Sequence, residues 1–262
     1  MSQSLQGKAA IITGTSSGIG LATARAFLEA GALVLGVDLS PAPASITPGE
    51  TFRFHQVDLT ESAAPCSIVA AFKAAFPNHA NIDILVNNAG IMDSLHGVQT
   101  VPDDTWERVI AVNLTAPVKL MREVVTVMKQ NGGGSIVNVA SKAAISGAVA
   151  GVAYTASKHG LIGVTKNTAW FYREEGVRCN AIAPGSVMTN IVTPAEMEKM
   201  DPVGGAKIRP VINVQSNSKL PGITNGIAMP EDAVRAILFL ASDLSLGITG
   251  IVMPVDNGWS TI

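Results

Sequence analysis

Tyr154 and Lys158 stand four positions apart in the run Tyr154-Thr155-Ala156-Ser157-Lys158, and Ser141 precedes the tyrosine by thirteen residues. On a helix, residues i and i+4 share a face, so this spacing sets an ammonium beside a phenol. A free phenol titrates near pH 10, about three units too high for a base at neutral pH, and a nearby cation favours phenolate by about one to three units. The chemistry implied is proton exchange at a reacting oxygen, with the Ser141 hydroxyl able to hydrogen-bond the same atom. Solvated helix faces also produce Tyr-x-x-x-Lys pairs, so the surrounding elements decide the reading.

Those elements alternate. Apolar runs predict strands at Ala9 to Thr13, Ala32 to Val37, Thr51 to Val57, Ile82 to Val86, Gly134 to Val139, Arg178 to Ala183 and Gly250 to Val255. Helical periodicity predicts helices at Gly18 to Ala30, Ala64 to Phe76, Thr105 to Met128, Ala153 to Glu175 and Glu231 to Ala241. Strands alternating with helices of this length imply a doubly wound parallel α/β sheet of about seven strands with helices on both faces. Between Gly185 and Met229 the chain holds several Pro and Gly residues and little periodicity. A single domain over residues 1–262 is expected.

The turn Thr13-Gly14-Thr15-Ser16-Ser17-Gly18-Ile19-Gly20 lies between the first strand and the first helix. A dinucleotide pyrophosphate meets free backbone N–H groups and a positive helix end at such a place. The spacing is G-x-x-x-G-x-G, which is not the common G-x-G-x-x-G fingerprint. Asp38 closes the second strand, eighteen residues after Gly20, where a carboxylate accepts from both ribose hydroxyls and repels a 2′-phosphate. Leu39, Thr15 and Ser16 supply no cation to offset that repulsion, so NAD is expected over NADP.

The chain has 18 basic and 20 acidic residues, a formal charge of −2, and no basic block able to neutralise a phosphate backbone. No nucleic-acid partner is expected. No run of 18 apolar residues is present and Met1 to Lys8 is polar, so neither a membrane partner nor a secretory signal is expected, and the location read from this is cytoplasmic. Cys66 and Cys179 lack metal-ligand spacing and read as reduced packing residues, with no metal site.

With the glycine turn, Asp38, Asn87-Asn88-Ala89-Gly90, Asn113, Ser141, Tyr154, Lys158 and Pro184-Gly185 in this order, the chain resembles the short-chain dehydrogenase/reductase family over nearly all its length. The resemblance implies a Rossmann-like domain with seven parallel strands and a substrate-covering lid around 186–229, assembled as a homotetramer or homodimer. It assigns the cofactor turn to Gly14, Ser17, Gly18, Ile19 and Gly20, the ribose contact to Asp38, and the adenine contact to Asp58 and Leu59. Asn88, Ala89 and Gly90 would line the cofactor, and Val187 and Thr189, after Pro184-Gly185, would hold the nicotinamide carboxamide. Asn113 would hold a water in a proton relay. Tyr154 would be the acid/base and Ser141 the second hydrogen-bond partner, while Lys158 would favour phenolate and bind the nicotinamide ribose. In the C-terminal Asp256-Asn257-Gly258, Asn replaces a second Gly.

The expected reaction interconverts a hydrophobic secondary alcohol, alicyclic or terpenoid-like, and its ketone. Met188, Met197, Met200, Ile208, Val211, Ile212, Leu220 and Ile223, with Met92, Ile145, Val149 and Val152, are the apolar residues expected near that substrate. His96 is a further candidate contact, and Lys207, Arg209 and Lys219 would suit an acidic group. Two other reactions fit the same residues: NADPH-dependent reduction of a 3-oxoacyl thioester, and a redox-neutral isomerase, dehydratase or cyclase reaction. A non-enzymatic dinucleotide sensor would not need Ser141, Tyr154 and Lys158 together.

Overall fold

In the computed structural model, residues 4–192, 197–215 and 226–261 are described. Seven strands form one sheet: β1 (Ala9–Thr13), β2 (Leu33–Asp38), β3 (Phe52–Gln56), β4 (Ile84–Asn87), β5 (Gly134–Val139), β6 (Val177–Pro184) and β7 (Val252–Val255). Their order is β3-β2-β1-β4-β5-β6-β7, and each neighbouring pair is parallel. The expected fold is the observed one.

The alternation within β1 explains the layering. Ala9 and Ile11 point into a core shared with α2 (Ala64–Ala75) and α4 (Ala116–Gln130), through residues such as Ile68, Phe72, Leu120 and Val124. Ala10 and Ile12 point to the opposite core, shared with α1 (Gly18–Glu29) and α7 (Pro230–Ala241), through Ala24, Phe27, Ile237 and Leu240. Successive side chains of a strand leave on opposite faces, so a strand apolar at every position must be covered twice. Strand order then reverses between β1 and β4, which leaves a cleft at their carboxyl ends.

Three differences from the expected elements bear on the site. The helix expected as one piece from Thr105 to Met128 is α3 (Asp103–Ile110), a π-helical segment (Ala111–Thr115) and α4. Helix α5 runs Val152–Phe171, ending short of Glu175. The aperiodic stretch contains α6 (Pro202–Gln215), despite Gly204, Gly205 and the interior Pro210. Tertiary contacts offset that poor propensity: Asp201 Oδ1 caps the Val203 N–H at 2.9 Å, and the Asp201 N–H donates to the Ser94 carbonyl at 2.9 Å. Leu220, Ile223 and Lys219 lie outside the described residues. Cys179 is buried as expected, but Cys66 is exposed on α2 and is not a packing residue.

Candidate active site

The turn after β1 is built by close approach. Gly14 and Gly18 have φ of +76° and +54°. A β-carbon on Gly20 would run into the Gly14 carbonyl, so Gly20 lets the turn fold onto α1 and does not itself line the cleft. Ser17 caps α1 without a side-chain hydrogen bond to the first turn. The uncapped N–H groups therefore open toward the cleft, as a phosphate cradle requires. Asn88 braces this turn: its Nδ2 donates to the Thr13 carbonyl at 2.9 Å, and the Thr13 hydroxyl accepts from the Asn88 and Ala89 N–H groups at 3.0 and 3.1 Å.

Asp38 lines the same cleft, with Oδ2 accepting from the Ser16 N–H and Oδ1 from the Ser40 N–H, both at 2.9 Å. Two backbone donors thus fix the carboxylate at the strand end. Asp58 and Leu59 line the wall beyond β3. Asp58 accepts from the Thr60 N–H and hydroxyl at 2.8 and 2.7 Å, which, with Arg108, hold its carboxyl below the ordinary range.

One cavity of about 950 Å³ joins this cradle to Ser141, Tyr154 and Lys158. Gly14, Ser17, Gly18, Ile19, Asp38, Asp58, Leu59, Asn88, Ala89, Gly90, Ser141, Tyr154, Lys158, Pro184, Gly185, Val187 and Thr189 all line it. Thr189 packs across the turn: a β-carbon on Gly18 would lie 3.1 Å from its methyl. A carboxylate at a strand end, uncapped amides at a helix start and a connected cavity together fit a bound dinucleotide.

Tyr154 and Lys158 lie on the buried stripe of α5 that continues through Leu161, Thr165 and Thr168, so the pair faces inward. Val109, Ala143, Ala150 and Ala153 pack around the tyrosine. Lys158 Nζ lies 5.6 Å from the Tyr154 ring centroid and donates to the Val139 carbonyl at 2.9 Å. Ser141 follows β5 and lines the same cavity as Tyr154, with its hydroxyl close enough to the phenol to lower its pKa. It also accepts from the Ala143 N–H at 3.1 Å, so it serves as the turn residue at a strand end as well.

The electrostatics differ from what spacing alone implies. Burial pushes the Tyr154 phenol up to about 12, the Ser141 hydrogen bond opposes this, and the charge of Asp93 adds to it. Burial also lowers the Lys158 amine to about 8. Burial thus works against the charged form of both groups, so the four-residue spacing alone does not fix how readily the phenol ionises. At neutral pH Lys158 is still mostly charged.

Asn113 sits in the π segment, fully buried behind Gly90 and outside the cavity lining. Its Oδ1 accepts from the Ile91 N–H, while Nδ2 donates to the Ile91 carbonyl and the Ser157 hydroxyl, at 2.9, 2.9 and 3.2 Å. A β-carbon on Gly90 would lie 3.3 Å from this oxygen and 3.4 Å from Lys158 Nζ. Asn113 thus braces the wall between cofactor strand and lysine.

Of the apolar residues expected near substrate, Met92, Val149, Met188, Met200 and Ile212 line the cavity. Ile145, Val152, Met197, Ile208 and Val211 do not, and exposed Lys207 and Arg209 do not either. His96 faces Asp201, Nδ1 to Oδ2 3.9 Å, away from the cavity lining. Sequence reasoning missed Lys142 and Trp259: Lys142 Nζ is buried in the cavity wall and donates to the Trp259 carbonyl at 2.9 Å. It missed Asp93 too, although a carboxylate three residues after Gly90 was a visible signal. Asn257 has φ +57°, a conformation Asn tolerates better than other side chains, which explains its replacing glycine there.

The short chain dehydrogenase family model matches residues 8–199, which include the glycine turn, Ser141, Tyr154 and Lys158. The chain is 52% identical over 258 residues to short chain dehydrogenase ple7 of Rhodocybe pseudopiperita, covering 98% of this chain and all of that one (100%). It is 49% identical over 253 residues to asnovolin H dehydrogenase nvfC of Aspergillus novofumigatus, covering 96% of each. A solved 4-hydroxyisoleucine dehydrogenase complexed with NADH superposes with a TM-score of 0.80 at 30% identity, covering 97% of this chain and 99% of that one. Glycine turn, reversed strand order and matched sequence agree, and the chain belongs to the short-chain dehydrogenase family of NAD(P)-dependent oxidoreductases.

Proposed function

We propose that this enzyme uses NAD to interconvert a hydrophobic secondary alcohol, alicyclic or terpenoid-like, and its ketone. The observation that carries this reading is the meeting of Ser141, Tyr154 and Lys158 on the wall of the cavity that also holds Asp38 and the glycine turn. The dinucleotide, when bound, supplies the two-electron acceptor or donor. Tyr154 takes the hydroxyl proton in oxidation and returns it in reduction. Ser141 orients the substrate oxygen and stabilises charge developing on it. Lys158, charged at neutral pH and anchored on the Val139 carbonyl, favours the phenolate form and is positioned to bind the nicotinamide ribose.

The fixed Asp38 carboxylate supports NAD over NADP, because a 2′-phosphate would meet a negative charge with Leu39 and Ser40 as its neighbours. The solved relative bound to NADH is consistent with that preference. Ile91, Met92, Leu95, Val149 and Met188 give the cavity an apolar wall suited to a hydrophobic substrate. A relative named as the dehydrogenase of asnovolin H supports a small-molecule substrate. Trp170 and Phe171, 65% and 63% exposed at the end of α5, support assembly with further copies of this chain.

The test is a panel of alcohols and ketones assayed with NAD(H) and NADP(H), read by nicotinamide absorbance, on wild type and Tyr154→Phe. Turnover with NAD that falls about a hundredfold or more in the variant is expected. Comparable turnover in the variant removes Tyr154 from the mechanism, and product formation without an absorbance change replaces the redox reading with a redox-neutral one.

A further inference from the structure

Helix α5 starts without a cap of its own. Its N-cap is Gly151, and no side chain at that position can accept from the first turn. The acceptors come instead from the loop after β4. Asp93 is completely buried; its Oδ1 accepts from the Gly151 and Leu95 N–H groups at 3.1 and 3.2 Å, and its Oδ2 accepts from the Tyr154 N–H at 2.8 Å. The His96 carbonyl accepts from the Val152 N–H at 2.8 Å. Ser94 and Leu95 adopt φ of +55° and +64°, an uncommon conformation for such side chains, which folds the loop so that both acceptors meet the helix. Gly151 is matched to this contact, since a β-carbon there would lie 2.5 Å from both carboxylate oxygens.

We propose that Asp93 is a positioning residue for proton transfer: its carboxylate caps the first turn of α5 from another segment, and so fixes Tyr154 against the strand end that lines the cofactor cleft. This rests on Tyr154 as the acid/base. The charge has a second effect, because it opposes phenolate formation and adds to the upward shift that burial gives the phenol. Lys158 on α5 lies 5.6 Å from the Tyr154 ring centroid, Lys142 on the turn after β5 and Arg108 on α3 line the same cavity, and the His96–Asp201 pair lies beside the loop. Removing Asp93's charge therefore removes one of the two influences that raise the phenol.

Asp93→Asn is nearly isosteric but loses the charge and one acceptor; Gly151→Ala keeps the charge and displaces it. The chain has two tyrosines, so 13Cζ resonances of tyrosine-labelled, NAD-saturated protein can be followed against pH, with Tyr154→Phe identifying the relevant one. A Tyr154 midpoint lower by about half a pH unit or more is expected in both variants, with kcat reduced about tenfold and the KM for NAD within about twofold. A midpoint unmoved in the folded variants, whatever their loss of thermal stability, overturns the proposal and leaves Asp93 a purely structural cap. If Asp93→Asn does not fold, Gly151→Ala carries the same two outcomes. The titration needs no turnover, so it judges Asp93 even where kinetics remove Tyr154 from the mechanism.

Discussion

The two ends of the cavity are made in different ways. At the phosphate cradle the working groups are main-chain amides, presented by glycines with positive φ and by a helix whose first turn lacks a side-chain cap. At the end that holds Tyr154 and Lys158 they are ionisable side chains taken out of water, with Tyr154 raised to about 12 and Lys158 lowered to about 8. The cradle costs little, because an empty amide can bond water. The other end carries a standing desolvation penalty. One region of the fold is thus ready for its ligand at small expense in stability, whereas the other holds reactivity against stability.

The contrast is broken most severely by Tyr154→Phe, for which the hundredfold loss of turnover described above should come with nearly intact NAD binding, measured by calorimetry. Lys158→Met sharpens it. The folded-state amine titrates near 8 against 10.5 when unperturbed, so its penalty is complete below pH 8 and is relieved as pH rises from about 8 to 10.5. Removing it should contribute on the order of 3 kcal/mol below pH 8, less about 1 kcal/mol for the lost bond to the Val139 carbonyl. The variant should melt higher than wild type at pH 7, lose that advantage by pH 10.5, and turn over slowly with weakened NAD affinity. A melting difference independent of pH would show that the buried charge is not its source.

At the cradle, Gly20→Ala should behave in the opposite sense. Its added methyl meets the Gly14 carbonyl and Asn88, so stability should fall by about 1–3 kcal/mol together with NAD affinity, as read by denaturant titration and calorimetry. The smallest effect expected is at Asp38→Ala, where the ratio of kcat/KM for NAD over NADP should drop about tenfold while the fold is unaffected. An unaltered ratio would separate Asp38 from cofactor choice.

The same contrast governs what could be read from the chain. The parallel sheet of about seven strands and the glycine turn were legible because they depend on local rules: apolar runs at strand length, glycines at a strand-to-helix turn, an acid at the end of β2. That Tyr154 and Lys158 share a face followed from their four-residue spacing, while the burial of that face came only with the packed helix. Their pKa values did not follow, because burial is a property of the packed molecule, and four-residue spacing says nothing of the desolvation that outweighs the attraction. Helix α6 was illegible for the same reason: glycines and a proline weaken its local signal, and the contacts that sustain it, through Asp201 and Ser94, join positions more than a hundred residues apart. Lys142 and Asp93 escaped notice because each acts on a distant main-chain group.

The seating of Trp259 against Lys142 gives the molecule a built-in optical probe. This indole forms part of the cavity wall and is 6% exposed, while Trp106 and Trp170, the other two tryptophans, are 38% and 65% exposed and stand outside that wall. Reduced nicotinamide absorbs where indole emits, so light given out by Trp259 should be quenched as the cleft fills, with the other indoles supplying a steady background.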